Sequence, residues 1–116
     1  MSEATQKLSF IILLSAIKKQ AHEIRIRKDA RYGVVVELLI DGVMREEMQM
    51  PAMIYGALVE TFAQMANTPL PAAHEEARGY LHIAVGEARH HYFQLEIVGL
   101  GALHLRPISE AEMPTV

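Results

Sequence analysis

Apolar positions change their spacing several times along the chain, and each change marks a new element. From Gln6 to about Gln20, Leu8, Ile11, Ile12 and Ser15 recur at helical spacing, and Phe10, Leu13, Leu14 and Ile17 widen the stripe. A helix apolar over so much of its circumference calls for cover on more than one side, by a sheet and by a partner. Ile24 and Ile26 then alternate with Glu23, Arg25 and Arg27, the period of a strand buried on one face, which predicts a strand from about His22 to Arg27. A second strand follows from about Tyr32 to Ile40. Asp41-Gly42 supplies the two positive-φ positions of a tight hairpin turn, so Ile40 is expected opposite Val43, with a third strand running to about Met48.

Pro51 suits the first position of a helix, where its missing N–H loses nothing. The pattern continues to about Met65, with Ile54, Ala57, Leu58, Phe62 and Met65 on one face. Two prolines in Asn67-Thr68-Pro69-Leu70-Pro71 stop that helix. After a connector from Ala72 to Arg78, three strands are expected, from about Gly79 to Val85, Arg89 to Val98 and Ala102 to Arg106. A three-residue loop, Gly86-Glu87-Ala88, sets Leu81 against Phe93 and Ile83 against His91, which keeps one apolar face, whereas a two-residue loop scrambles it. The order α-β-β-β-α-β-β-β predicts an α+β fold, a mostly antiparallel six-stranded sheet with two helices. One domain is expected over residues 6–108, with tails at 1–5 and 109–116.

Composition narrows the chemistry. With 116 residues, 51% hydrophobic and 22% charged, the chain has material for one modest core, and a formal net charge of -3 gives no global attraction to nucleic acid. It contains no cysteine, so disulfides, thiolate metal sites and cysteine nucleophiles are excluded together. The apolar run from Phe10 to Leu14 is far shorter than the roughly 20 residues of a membrane span, and a cytoplasmic setting is expected.

No Gly-x-x-x-x-Gly-Lys-[Ser/Thr] loop is present, and without one nothing cradles a nucleoside triphosphate. Glu46 and Glu47 are adjacent in a predicted strand, so they point to opposite faces and read as solvated charges. Ser9 and Ser15 lie on a helix with no base beside them. Gly99-Leu100-Gly101 reads as a turn. Arg25, Arg27, Lys28 and Arg31 form one basic cluster, without interleaved aromatics, and read as a solvated strand face and turn. Alternation sets His82, His90 and His104 on the polar sheet face near Tyr80, Tyr92 and Arg106; neighbouring arginines oppose a cation there, and no metal site is expected. No catalytic residue and no cofactor are expected.

Three ordered stretches carry a family resemblance: Leu13-Leu14-Ser15-Ala16-Ile17, Ala21-His22-Glu23-Ile24-Arg25-Ile26-Arg27 and Ile40-Asp41-Gly42-Val43-Met44. Together they resemble the amino-terminal domain of the secretion ATPases that drive type II secretion and type IV pilus assembly, over about residues 8–106. The resemblance implies a PAS-like arrangement and, in the absence of the motor domain's phosphate loop, a non-enzymatic interaction or regulatory module. Its implied partner is a secretion or pilus motor ATPase. Where that family carries arginines, this chain has Val35, Glu37, Leu39, Tyr80 and Glu96, which argues against a phosphate-sensing role. A PAS-like small-molecule sensor is the alternative, with Tyr80, His82, Tyr92 and His104 lining the ligand face. For the interaction module, the hairpin pattern sets Leu39 opposite Met44 and Val35 opposite Met48. Those four residues are expected to form an outward apolar stripe and to support a homodimer.

Overall fold

The computed structural model describes residues 3–71, 75–99 and 101–114. Ala72 to His74 of the expected connector and Leu100 of the last expected turn lie outside these, as do residues 1, 2, 115 and 116. Helix α1 (Glu3–Lys18) leads into strands β1 (Glu23–Asp29), β2 (Gly33–Ile40) and β3 (Val43–Met50). A 3-10 turn (Ala52–Ile54) runs directly into α2 (Tyr55–Met65), and β4 (Glu76–Val85), β5 (Arg89–Val98) and β6 (Ala102–Ile108) follow. The six strands form one sheet in the order β3-β2-β1-β6-β5-β4, every pair antiparallel. This is the α+β architecture the hydrophobic pattern predicts.

The sheet is two three-stranded meanders joined along β1 and β6, and α2 carries the chain from one edge strand to the other. Ile24, Ile26, Val36, Leu38, Leu81, Phe93, Leu95, Ile97, Leu103 and Leu105 occupy alternate strand positions. They form one buried cluster with Ile12, Leu13 and Ala16 of α1 and Leu58, Phe62 and Ala63 of α2. Both helices therefore lie on one face of the sheet and pack against each other. The opposite face carries the polar half of each strand.

Both helices end in a left-handed residue that is not glycine. Ala21 N–H donates to the Ala16 carbonyl and Gln20 N–H to that of Ile17, with Gln20 at φ 55°. Thr68 and Asn67 repeat the pattern onto Ala63 and Gln64, with Asn67 at φ 50°. Each satisfies carbonyls that the last turn leaves open and reverses the chain into the next segment. Two glycines are set by close approach. A Cβ on Gly33, at φ +85°, lies 2.5 Å from the Met50 carbonyl oxygen, and one on Gly79 lies 2.9 Å from the Ala66 Cβ where the loop after α2 crosses β4.

The residues expected as tails are partly structured. Helix α1 begins at Glu3, and Thr5 in its first turn is buried, its carbonyl accepting a bond from the Ser9 hydroxyl. Beyond β6, the Glu112 carboxylate accepts the Ser109 N–H and closes a short 3-10 turn, Glu110–Glu112.

The hairpin stripe requires a correction. Ile40 pairs with Val43, Leu39 with Met44 and Glu37 with Glu46, as the Asp41-Gly42 turn dictates, but the next pair is Val36 with Met48. Glu47 is left over as the extra residue of a β-bulge, and the alternation downstream of it is reversed. Met48 and Met50 therefore pack against the core, and Val35, paired with Gln49 and not Met48, is 1% exposed. Its cross-strand neighbours, Arg27 and Gln49, are long enough to cover it with their stems. Of the four residues, Leu39 and Met44 alone remain half-buried on the open face.

Candidate functional site

Three surfaces have chemistry worth weighing: the open face of the sheet, the outer side of α1 and a cleft at the start of α2. On the open face most cations are matched. Arg25 Nε donates to Glu23 at 3.0 Å, Arg27 donates to Glu37 at 2.9 Å and to Asp29 at 2.9 Å, and Arg78 lies 3.3 Å from Glu96. Asp29 is held below the usual carboxylate range, first by the N–H groups of Arg31 and Tyr32 and then by Arg27. Glu37 and Glu96, two of the positions where the resembled family has arginine, thus serve as partners for arginines on neighbouring strands. A surface whose guanidinium groups are already neutralised has little left to offer phosphates.

The residues expected to line a ligand face are only partly brought together. His82 stacks on Tyr92 with ring centres 4.7 Å apart, and its Nε2 lies 2.8 Å from His90 Nδ1. His104 is elsewhere, 3.9 Å from a Glu23 oxygen and paired with Glu96, six positions along β5 from His90 or about 20 Å at strand spacing. Tyr80 faces Gln94. The aromatic and imidazole groups therefore form a short stacked strip along one wall of an open cavity of about 590 Å³ that Ile108 and Glu110 also line, while His104 lies in a separate depression with Arg106. Among the described residues no three histidine or carboxylate groups are placed to hold a metal ion.

Glu47 is engaged, contrary to its reading as a solvated charge. The bulge turns it toward α1, where its carboxylate accepts the Ser15 hydroxyl at 2.7 Å and the Lys19 ammonium at 2.6 Å. Lys19 and then Ser15 hold it below the usual carboxylate range. This clamp ties the end of α1 to the edge strand β3.

On α1, Thr5, Ser9, Ile12, Leu13 and Ala16 face the core. The opposite side carries Phe10, Ile11 and Leu14, which are 44, 53 and 40% exposed, between Lys7 and Lys18. Positions 7, 11, 14 and 18 recur at three and four residues, so they form one ridge along the helix. Phe10 leans to the α2 side, where it shares a shallow groove with Thr61 and Met65.

The third surface was not anticipated by the sequence. A cleft of about 500 Å³ lies between the start of α2 and the loop that follows the helix, lined by Lys28, Met53, Tyr55, Gly56, Val59, Leu70 and Ile97 among others. Tyr55 is 6% exposed, and its hydroxyl is buried without a hydrogen-bond partner among the described residues. Burial pushes its pKa up to about 12. Nothing in the sequence distinguished it from a core aromatic.

Fold and surfaces together define a two-layer α+β domain with one open sheet face and an apolar helix ridge on the other side. No protein-family model and no curated protein matches this chain. Among the described residues, no helix is long and apolar enough to cross a membrane.

Proposed function

We propose that the chain is a non-catalytic protein-interaction module, related to the amino-terminal domain of secretion and pilus-assembly ATPases, that docks through the outer ridge of α1. The observation that carries this reading is the exposure of Phe10, Ile11 and Leu14 on a helix whose other side is already core. The ordered motifs around Ala21 to Arg27 and the Asp41-Gly42 hairpin support the family relation, and the interaction role follows from it by analogy.

Charge favours a partner of different sequence over a second copy. An antiparallel self-pairing centred on Ile11 and Leu14 opposes Lys7, which Glu3 matches only at 3.9 Å and in solvent, to Lys18 of the other copy, and like charges held face to face disfavour it. The ridge suits an apolar stripe with acidic flanks. Its three side chains, each about half-exposed, contribute on the order of 1 kcal/mol apiece when covered, which is below the ordering cost of association. The ridge is therefore the centre of a wider contact.

The test is binding to a purified secretion-type motor ATPase of the same organism by biolayer interferometry, with Ile11→Glu and Leu39→Arg compared. Loss with Ile11→Glu and retention with Leu39→Arg support the reading. The reverse pattern moves the interface to the hairpin, and no binding by the parent chain removes the proposed partner.

A further inference from the structure

The cleft beside α2 carries three features that structural packing leaves unexplained. The first is the Tyr55 hydroxyl, a buried polar group with no partner among the described residues, a situation that costs about 1 to 3 kcal/mol. The second is Gly56. It lies in the first turn of α2 without a positive φ, and a Cβ built on it meets nothing within 4 Å. Glycine in a helix costs about 1 kcal/mol relative to alanine, and here neither backbone conformation nor close approach within the chain requires it. It lines the cleft, where it adds no side chain to the wall. The third is Lys28, whose ammonium sits 5.8 Å from the centre of the Tyr55 ring and has no acidic partner among the described residues, although neighbouring Arg27 has two.

We propose that this cleft binds a small organic acid with an apolar body, the body resting on Met53, Val59, Leu70 and Ile97 and the carboxylate facing Lys28. The volume lies within the roughly 300 to 1,000 Å³ range of small-molecule sites, and a mostly apolar lining with few polar groups is their usual composition. An ammonium without an acidic partner at the edge of an apolar cleft favours an anion, because it repels a cation and gives a neutral head group only a weaker hydrogen bond. Tyr55 lines the cleft, although its hydroxyl is itself buried. Met53, 87% exposed, and Leu70, 54% exposed, flank the opening, and a bound apolar body removes part of their surface from water. This site lies on the helical side of the sheet, away from the strip of His82 and Tyr92, and is independent of the α1 ridge.

The experiment is displacement of anilinonaphthalene sulfonate fluorescence from the intact chain by decanoate, with decylamine and decanol as controls. Decanoate displaces the dye, and decylamine is weaker by about tenfold, the scale of one charge-assisted contact. Gly56→Leu, which fills the cleft with a better helix former, weakens decanoate by about tenfold or more. Leu70→Glu sets a carboxylate at an exposed point of the opening and has the same effect without touching the core. Lys28→Gln removes the preference for decanoate over decanol. Ile11→Glu changes nothing, which separates this site from dye bound on α1. Equal displacement by decanoate and decylamine, decanoate binding that survives both Gly56→Leu and Leu70→Glu in folded protein, or no binding at all overturns the proposal.

Discussion

Replacing Tyr55 by phenylalanine removes one oxygen from the interior and nothing else. The hydroxyl is buried, without a partner among the described residues, and the ring is 6% exposed, so no cavity larger than the oxygen opens. A buried donor left unsatisfied costs about 1 to 3 kcal/mol, and Tyr55→Phe is therefore expected to stabilise the chain by about 1 to 2 kcal/mol at neutral pH. For a domain of this size that raises Tm by about 4 to 8 °C per kcal/mol. The same side chain makes stability fall in alkali. Its folded pKa, raised to about 12 by burial, lies above the ordinary tyrosine value of 10.0, so the contribution is fully present below pH 10. It is lost as pH rises through 12, because the unfolded tyrosine releases its proton first. Two pH units at about 1.4 kcal/mol each give a loss of roughly 2 to 3 kcal/mol that Tyr55→Phe does not share. Urea denaturation of both proteins between pH 7 and alkaline pH measures the two effects. The absorbance of the four tyrosines adds a third readout, with one phenolate appearing late. If Tyr55→Phe is less stable than the parent at neutral pH, the hydroxyl has a partner and the orphan argument fails.

Other substitutions probe the hairpin and its supports. Met48→Asp is expected to cost several kcal/mol, since the bulge turns that side chain into the core, whereas Met44→Asp, on the open face, costs well under 1 kcal/mol; thermal melts distinguish them. Glu47→Gln removes the charge that Lys19 and Ser15 hold and is expected to cost about 1 kcal/mol at neutral pH. Because the Glu47 pKa is lowered, that difference is present above the ordinary glutamate value of 4.5 and fades as pH falls through the folded value, which urea curves at acid pH test. Gly79→Ala forces a Cβ to 2.9 Å from that of Ala66 and is expected to destabilise by about 1 to 3 kcal/mol, again read from urea midpoints.

The architecture was legible because two periods dominate the chain. Asp41-Gly42 and Gly86-Glu87-Ala88 fixed the registers of their hairpins, and Leu81 does face Phe93 as Ile40 faces Val43. The bulge was not legible: Met44, Glu46, Met48 and Met50 keep an unbroken period of two, and a single extra residue leaves no mark in composition. The apolar Met50, in phase with Met48 and next to Pro51, is the one hint that this end of β3 faces inward. The C-terminal helix ends were legible to within two residues, but their left-handed caps were not, because Gln20 and Asn67 take a conformation usually assigned to glycine. The ridge on α1 was half visible. The pattern announced a helix apolar on too many sides, but α2 decides which apolar residues it covers. The cleft was invisible, since its lining comes from β1, the start of α2, the loop after α2 and β5, which only the fold brings together.

The proposed docking through α1 depends on which face meets a partner, and methyl resonances report that directly. The isolated chain, labelled at isoleucine, leucine and methionine methyls, is titrated with an unlabelled secretion-type motor ATPase. Broadening or shifts confined to Ile11 and Leu14, with Leu39 and Met44 unmoved, are the predicted result. Changes at Leu39 and Met44 with Ile11 and Leu14 silent contradict it.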